Sequence, residues 1–170
     1  MGMIISIVVG IVLTLPISSA AVCAMIGISG LAGGAAVAGC CAQMIGFAVI
    51  SFRENKWGGV VAQGIGTSML QMGNIVKKPI VWLPAILTAA ITGPVSTCLF
   101  KLECTGVSAG MGTCGLVGPI GVFTDMGFNL NSVFGVLTVC IILPAILSLL
   151  FSEIMRRMGL IKFGDLKLDL

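Results

Sequence analysis

Four uncharged polar residues recur at helical spacing in an otherwise apolar stretch, residues 58–76. They follow one another at intervals of four, four and three: Gln63, Thr67, Gln71 and Asn74. A helix would place all four on one face. Because amides both donate and accept hydrogen bonds, Gln71 and Asn74 could line the mouth of a pathway for a polar solute, or dock a soluble partner. The alternative is an interfacial helix that turns this face to water.

Three charged side chains at the edges of apolar stretches could contact the same solute. Lys77 follows the polar face, while Glu103 and Asp125 flank a second stretch, residues 107–123. Carboxylates accept hydrogen bonds from solute hydroxyls, and the two could project into one cavity. The alternatives are two carboxylates in water and a lysine that anchors the chain at lipid headgroups.

The stretch over residues 107–123 is apolar but rich in helix-breaking residues: Gly110, Gly112, Gly115, Gly118, Pro119 and Gly121. It predicts a re-entrant segment, because broken backbone at membrane depth persists only beside protein or a water-filled cavity. Gly110, Thr113 and Gly115 are candidates for substrate contact, since glycine lets a ligand approach backbone N–H groups closely. The alternative is close helix packing through small residues.

The sequence contains no residue set for covalent or metal-dependent chemistry. It has seven cysteines but no histidine and no CxxC pair, which excludes a Cys/His zinc site. We see no nucleophile–base pair, so we predict no catalytic residue, no metal site and no cofactor. The cysteines are interpreted as small buried apolar residues. A net charge of +3, scattered along the chain, excludes a nucleic-acid-binding surface.

The elements that must position these residues are membrane helices. Of the 170 residues, 58% are apolar and only 9% are charged, whereas soluble domains carry about 25% charged residues. Such a chain cannot cover its folded surface with polar groups, so lipid must be its solvent. The predicted fold class is all-α: a polytopic transmembrane helical bundle with broken helices and a re-entrant glycine-rich segment.

Four apolar stretches could each cross the roughly 30 Å of bilayer hydrocarbon: residues 3–28, 35–52, 80–100 and 132–151. The first is interrupted by Pro16 and two serines, which predicts a kinked or broken helix. The domain prediction is a permease-like transmembrane region over residues 1–151 and a basic cytoplasmic tail over residues 152–170.

The basic residues predict the orientation of the chain. If residues 58–76 do not cross the membrane, Arg53, Lys77 and Arg156 lie on one side and only Lys101 lies on the other. The positive-inside rule then places the tail and the loop near Lys77 in the cytoplasm. If the segment does cross, the basic clusters are split between the two sides.

Two runs of residues make the chain similar to a known family: NIVKKP at residues 74–79 and GMGTCGLVGPI at residues 110–120. With the opening Pro16-Ile17-Ser18-Ser19 run, they resemble the C-terminal half of the second enzyme IIC family of the bacterial phosphotransferase system. The likeness covers essentially the whole chain. It implies a multi-pass permease component of sugar uptake in the bacterial inner membrane, through which a sugar crosses and then receives phosphate from a soluble IIB component.

The resemblance also implies partners. They are the lipid bilayer, a small-molecule sugar, soluble IIB and IIA components, and an N-terminal half that this chain lacks; a homodimer is a further expectation. An uncharged apolar start is typical of a piece of a longer chain. No IIB or IIA part is recognisable, so the chain would be at most the membrane component of the system. The alternative function is a non-transporting membrane sensor or regulatory scaffold that docks a soluble cytoplasmic partner.

Overall fold

The computed structural model describes residues 1–168, and all regular structure in that range is helical. The α-helices are α1 (Gly2–Thr14), α2 (Ser19–Ile26), α3 (Gly30–Ile50), α4 (Phe52–Val61), α5 (Met72–Lys77), α6 (Leu83–Pro94), α7 (Gly106–Ala109), α8 (Val117–Met126), α9 (Leu130–Val136) and α10 (Leu143–Arg157). Several are joined by short 3₁₀ or π-helical turns, so that α6 belongs to a longer helix and α9 and α10 form one. The all-α prediction is confirmed.

Within residues 1–168, three helices are long and apolar enough to cross a membrane: Gly30–Ile50, Pro79–Phe100 and Leu130–Arg157. They confirm three of the four predicted spans. The last of them continues past the predicted boundary at Phe151 and ends at Arg157. At 1.5 Å per residue, 21 residues of helix extend about 31 Å, which matches the hydrocarbon thickness.

The central helix of the bundle is α3, and 89% of its most apolar part is buried inside the protein. The next span runs antiparallel to it, because Ser96 Oγ donates to the Gly34 carbonyl (2.9 Å) while Trp82 Nε1 reaches Gln43 Oε1 (3.0 Å). A hydroxyl and an indole N–H of one helix therefore donate to oxygens of the other, as expected where lipid supplies no hydrogen-bond partner.

The last span runs parallel to α3. Gly46 packs against Ser148, and Arg156 Nη2 lies 3.3 Å from the Ile50 carbonyl at the end of α3. The three spans therefore cross in alternating directions.

The two ends of the bundle differ in charge. The basic end contains the C-termini of α3, α5 and α10, and every Lys and Arg of the chain except Lys101 belongs to it. Its ion pairs include Lys78 with Asp165 (2.6 Å). The opposite end contains the start of α3 together with Lys101, Glu103 and Asp125.

The first predicted span forms a hairpin. Ser6 packs against Gly39 and Thr14 lies beside Gln43, so α1 runs in the same direction as α3. The chain then turns at Pro16, and α2 returns to the start of α3. The predicted break is confirmed, but the prediction of one crossing is wrong, because helices of 13 and eight residues are each too short to span the bilayer. We call this element the first hairpin.

Residues 57–77 form a second hairpin, which rises from the basic end. One arm reaches Gly64, where a Cβ would lie 3.6 Å from the Cβ of Ala48 on α3. The chain then turns at Thr67, whose φ of −156° and ψ of 142° are extended, and α5 returns to the basic end. The prediction of one helix with a polar face is therefore wrong, since the stripe is divided between two arms. We call this element the basic-end hairpin.

The glycine-rich residues form a third hairpin over residues 106–126. The first arm starts, and the second arm ends, at the end of the bundle opposite the basic end. There Thr105 Oγ1 donates to Asp125 Oδ2 (2.9 Å). At its tip Gly112 has φ +57° and lies so close to α3 that a Cβ would sit 2.7 Å from that of Cys40. The predicted interruption of this helix is confirmed. We call this element the glycine hairpin.

Candidate functional site

The tips of the three hairpins meet on one part of α3. Thr14 Oγ1 of the first hairpin lies 3.1 Å from Ser68 Oγ of the basic-end hairpin. Thr113 Oγ1 of the glycine hairpin donates to the Gly64 carbonyl of the basic-end hairpin (2.6 Å). Gln43 stands between these contacts, about 20 Å along α3 from its start and about 10 Å from its end. The meeting point therefore lies inside the span.

The two hairpins from the opposite end are also bonded to each other. Ser19 Oγ, at the start of α2, donates to the Gly110 carbonyl (2.7 Å), and Cys40 Sγ of α3 lies 3.5 Å from the same oxygen. The carbonyl freed by the break in the glycine hairpin is thus satisfied by side chains from two other elements, as broken backbone at membrane depth requires.

Five polar side chains surround the meeting point, and we call them the tip cluster: Thr14, Gln43, Ser68, Trp82 and Thr113. Thr14, Gln43 and Ser68 have no solvent exposure, and Thr113 has 2%. Trp82 is half-buried, and the other four side chains of the cluster are shielded from solvent by the helices and hairpins around them.

The amide of Gln43 is fixed in orientation but only half satisfied. Trp82 Nε1 can only donate, so its 3.0 Å contact identifies the Gln43 atom facing it as Oε1. Thr14 Oγ1 lies 3.5 Å from the same oxygen. Gln43 Nε2 is buried and finds no acceptor among residues 1–168, an arrangement that costs about 1–3 kcal/mol. A hydroxyl oxygen brought to this atom would supply the acceptor.

Comparison with known proteins identifies the chain. A family model described as "Phosphotransferase system, EIIC" matches residues 1–168. The chain belongs to the EIIC family. No curated protein and no solved structure gave a significant match. The EIIC protein is accordingly a multi-pass membrane protein and a permease component of a sugar phosphotransferase system, which confirms the predicted family.

In the EIIC protein, the predicted polar face lies between the tip cluster and the basic end. Gln71 Nε2 donates to Gln63 Oε1 (3.0 Å), and Asn74 Nδ2 donates to Gln71 Oε1 (2.8 Å). Gln63 Nε2 donates in turn to Ser51 Oγ (2.8 Å). We call the three amides, Gln63, Gln71 and Asn74, the amide chain; it joins the two arms of the basic-end hairpin. Lys77 is exposed beyond it.

The two predicted carboxylates lie at the opposite end. Asp125 lines a cavity of about 250 Å³ between the arms of the glycine hairpin, together with the hydroxyl residues Thr105, Ser108 and Thr124. Glu103 is exposed and does not line this cavity, although its backbone N–H lies 3.2 Å from Met126 Sδ. The cavity opens at the surface and is lined by apolar as well as polar side chains, among them Val117 and Ile120; Asp125 stays a predicted solute contact there.

Among the predicted glycine-hairpin residues, the structure brings Gly110 and Thr113 to the hairpin tips. Gly115 lies just beyond them in an exposed turn with φ +54°. The sequence reasoning missed four members of the tip cluster: Thr14, Gln43, Ser68 and Trp82. A signal for Gln43 was present, because it is the one amide in an apolar span, and polar residues at such positions tend to be functional.

Proposed function

We propose that this EIIC protein forms part of a carbohydrate translocation pathway and that the sugar binds at the tip cluster. The observation that carries the proposal is the buried Gln43 Nε2, which lacks an acceptor at the point where three broken segments meet. A sugar hydroxyl can accept from this nitrogen and donate elsewhere. The hydroxyls of Thr14, Ser68 and Thr113 rotate freely and can exchange their present partners for sugar oxygens.

The arrangement of hairpins supports access from each side in turn. Two hairpins enter from the opposite end and one enters from the basic end, so each side of the tip cluster is covered by a different element. Discontinuous segments that meet at membrane depth are typical of transporter binding sites. Under the positive-inside rule the basic end is cytoplasmic. Movement of the basic-end hairpin would then release the sugar towards the cytoplasm.

The soluble components would act at the same end. A sugar leaving past the basic-end hairpin would meet a IIB component there, which fits the phosphotransferase system to which the family belongs. The N-terminal half, the homodimer and the individual substrate contacts at Gln71, Asn74, Lys77, Glu103, Gly110, Gly115 and Asp125 stay predictions.

Uptake of labelled sugars into membrane vesicles carrying the protein tests the proposal. We expect saturable uptake of at least one sugar from a panel of hexoses, pentoses, disaccharides and polyols. Thr14→Val should raise KM about tenfold, because it removes a hydroxyl from the cluster. Thr138→Val, on the span Leu130–Arg157 and outside the cluster, is the matched control and should leave KM unchanged.

Two results would overturn the proposed function. One is the absence of uptake for every sugar although the protein is present in the membrane and retains a soluble cytoplasmic protein; that result would favour the scaffold alternative. The other is uptake that Thr14→Val and Gln43→Leu leave unaltered, because the solute would then cross elsewhere.

A further inference from the structure

The tail folds back over the basic-end hairpin, and we propose that residues 160–168 are a latch that holds this hairpin closed over the tip cluster. The inference rests on the proposed function, because it concerns control of access to the same site. Detachment of the latch would free the hairpin to lift away from α3 and would open the cluster towards the basic end.

Apolar residues anchor the latch in the bundle. Ile161 is 2% exposed and Leu166 is fully buried. Both belong to a cluster that includes Phe47 and Ile50 of α3 and Ile75 of α5. A free basic tail would keep its side chains in water. The burial of two aliphatic side chains against the hairpin and the central helix shows instead a built contact.

The amide chain holds the latch by its backbone. Gln71 Nε2 donates to the Leu166 carbonyl (3.1 Å), and Asn74 Nδ2 donates to the Lys167 carbonyl (2.9 Å). Gln71 also donates to Gln63 on the other arm of the hairpin. One amide therefore connects the latch with both arms, and the tip of the same hairpin contacts the first and glycine hairpins.

Asn55, in the first turn of α4 before the hairpin, also holds the latch. Its Nδ2 donates to the Leu166 carbonyl (2.8 Å), and its Oδ1 accepts from the Leu168 N–H (2.8 Å). The side chain thus pairs with the latch much as a neighbouring strand would. Hydrogen bonds to backbone groups are independent of the latch side chains, so Lys167, whose side chain is exposed, offers a substitution that should not loosen it.

Two ionic contacts close the assembly. Glu54 Oε1 accepts from Arg156 Nη2 (3.2 Å) and from the Gly164 N–H (3.0 Å), which joins the end of α10 to the turn in the middle of the latch. Lys78, next to the hairpin, pairs with Asp165 of the latch (2.6 Å). Each contact bridges the latch to a different element.

Among residues 1–168, the charged groups that face Asp165 are Lys78 and Lys162, and Asp165 also accepts from the Lys162 N–H (2.6 Å). Burial alone would raise the pKa of Asp165, but the hydrogen bonds from Lys78 and from the Lys162 backbone, with the positive charges of both lysines, lower it. Asp165 is therefore ionised in the latch at neutral pH.

Cysteine labelling from the basic end tests the latch without requiring transport. Ala48 on α3 is 1% exposed and is covered by Gly64 of the basic-end hairpin, so Ala48→Cys reports lifting of the hairpin. Ala89 on α6 is equally buried but lies outside the cluster that holds the latch, and its carbonyl accepts from Ser6 Oγ of α1 (2.7 Å), so Ala89→Cys reports loosening of the whole bundle. Labelling with a membrane-impermeant maleimide is measured against the unaltered chain, whose seven cysteines give the background.

Asn55→Ala removes two of the bonds to the latch and should increase labelling at position 48 about tenfold, with no change at position 89. Deletion of residues 160–170 should increase it further, whereas Lys167→Ala should leave it unchanged. If Ala48→Cys is not recovered in the membrane, Ser51→Cys replaces it, because Ser51 is buried against Gln63 of the same hairpin.

Unchanged labelling at position 48 after both Asn55→Ala and tail deletion would overturn the latch. An equal increase at positions 48 and 89 would also overturn it, since the tail would then stabilise the bundle as a whole. Labelling that responds as expected in a protein that transports no sugar would refute the proposed function and leave the latch standing.

Discussion

Replacement of Gln43 by leucine should impair sugar transport while leaving the stability of the protein nearly unchanged. The same substitution at Gln71 should instead lower the stability of the protein. Both glutamines are fully buried and both replacements are of similar volume. They differ in how many of their hydrogen bonds are satisfied within the protein.

The magnitudes follow from those bonds. Gln43→Leu loses a 3.0 Å contact with Trp82 and a long one with Thr14, at a cost of about 1–2 kcal/mol, and removes an unpaired amide N–H that itself costs about 1–3 kcal/mol. The two effects oppose each other, so the net change in unfolding free energy lies between a loss of about 1 kcal/mol and a gain of about 2 kcal/mol. Gln71→Leu breaks three contacts, to Gln63, Leu166 and Asn74, and should cost about 2–4 kcal/mol.

Thermal unfolding in detergent and uptake in vesicles measure the two effects separately. We expect Gln43→Leu to unfold within a few degrees of the unaltered protein and to raise the KM for sugar at least about tenfold. We expect Gln71→Leu to unfold at a clearly lower temperature. If Gln43→Leu is as destabilising as Gln71→Leu and its KM is unaltered, the unpaired Gln43 Nε2 is not a substrate contact and the reasoning fails.

Three further predictions concern packing, pH and orientation. Gly39→Ala should destabilise the protein by about 1–3 kcal/mol in the same unfolding assay, because a Cβ there would overlap the Ser6 carbonyl. Gly73→Ala is the control, since the space around Gly73 is open, and it should not destabilise the protein. Equal stability of the two variants would contradict the close approach of α1 and α3. Because the pKa of Asp165 is lowered, its contribution to the docked latch is complete above about pH 4 and is lost as the pH falls through the lowered value. Labelling at position 48 is divided by the labelling of the same variant, denatured, at the same pH, which cancels the titration of the thiol. This ratio should stay flat between about pH 5 and 8 and rise only below about pH 4; a rise of the ratio near neutral pH would refute this. A cysteine placed at position 125 should be labelled from outside in intact cells, whereas a cysteine placed at position 157 should be labelled only after the cells are permeabilised. Labelling of both from the same side would contradict the orientation.

The sequence predicted the fold class and three spans because they depend on composition and length. Apolar runs with so few charges have no other stable environment than lipid. The glycine and proline residues also predicted where helices break. Gly112, for example, takes a positive φ at the tip of the glycine hairpin and leaves no room for a side chain beside Cys40.

The directions of the broken segments could not be predicted. Hydropathy over the first hairpin is the same whether α2 continues across the membrane or returns. The direction of α2 is determined by contacts between residues far apart in sequence, such as that of Ser19 with Gly110. The spacing of the polar stripe predicted one helix, but the extended backbone at Thr67 divides the stripe between two arms. Its amide side chains hydrogen-bond to the latch, as Gln71 does to the Leu166 carbonyl. Gln43 gave a sequence signal, yet its partners Trp82 and Thr14 come from other helices.

The fluorescence of Trp82 tests the tip cluster most directly. The chain has two tryptophans, and Trp57 is 73% exposed at the basic end, so Trp57→Phe leaves Trp82, bonded to Gln43, as the reporter. Titration of that variant with the sugar panel should give a saturable change in emission for a transported sugar. Gln43→Leu should abolish the change and Thr138→Val should retain it. A Trp82 signal that no sugar alters, or one that responds equally after Gln43→Leu, would contradict binding of the sugar where the three hairpins meet.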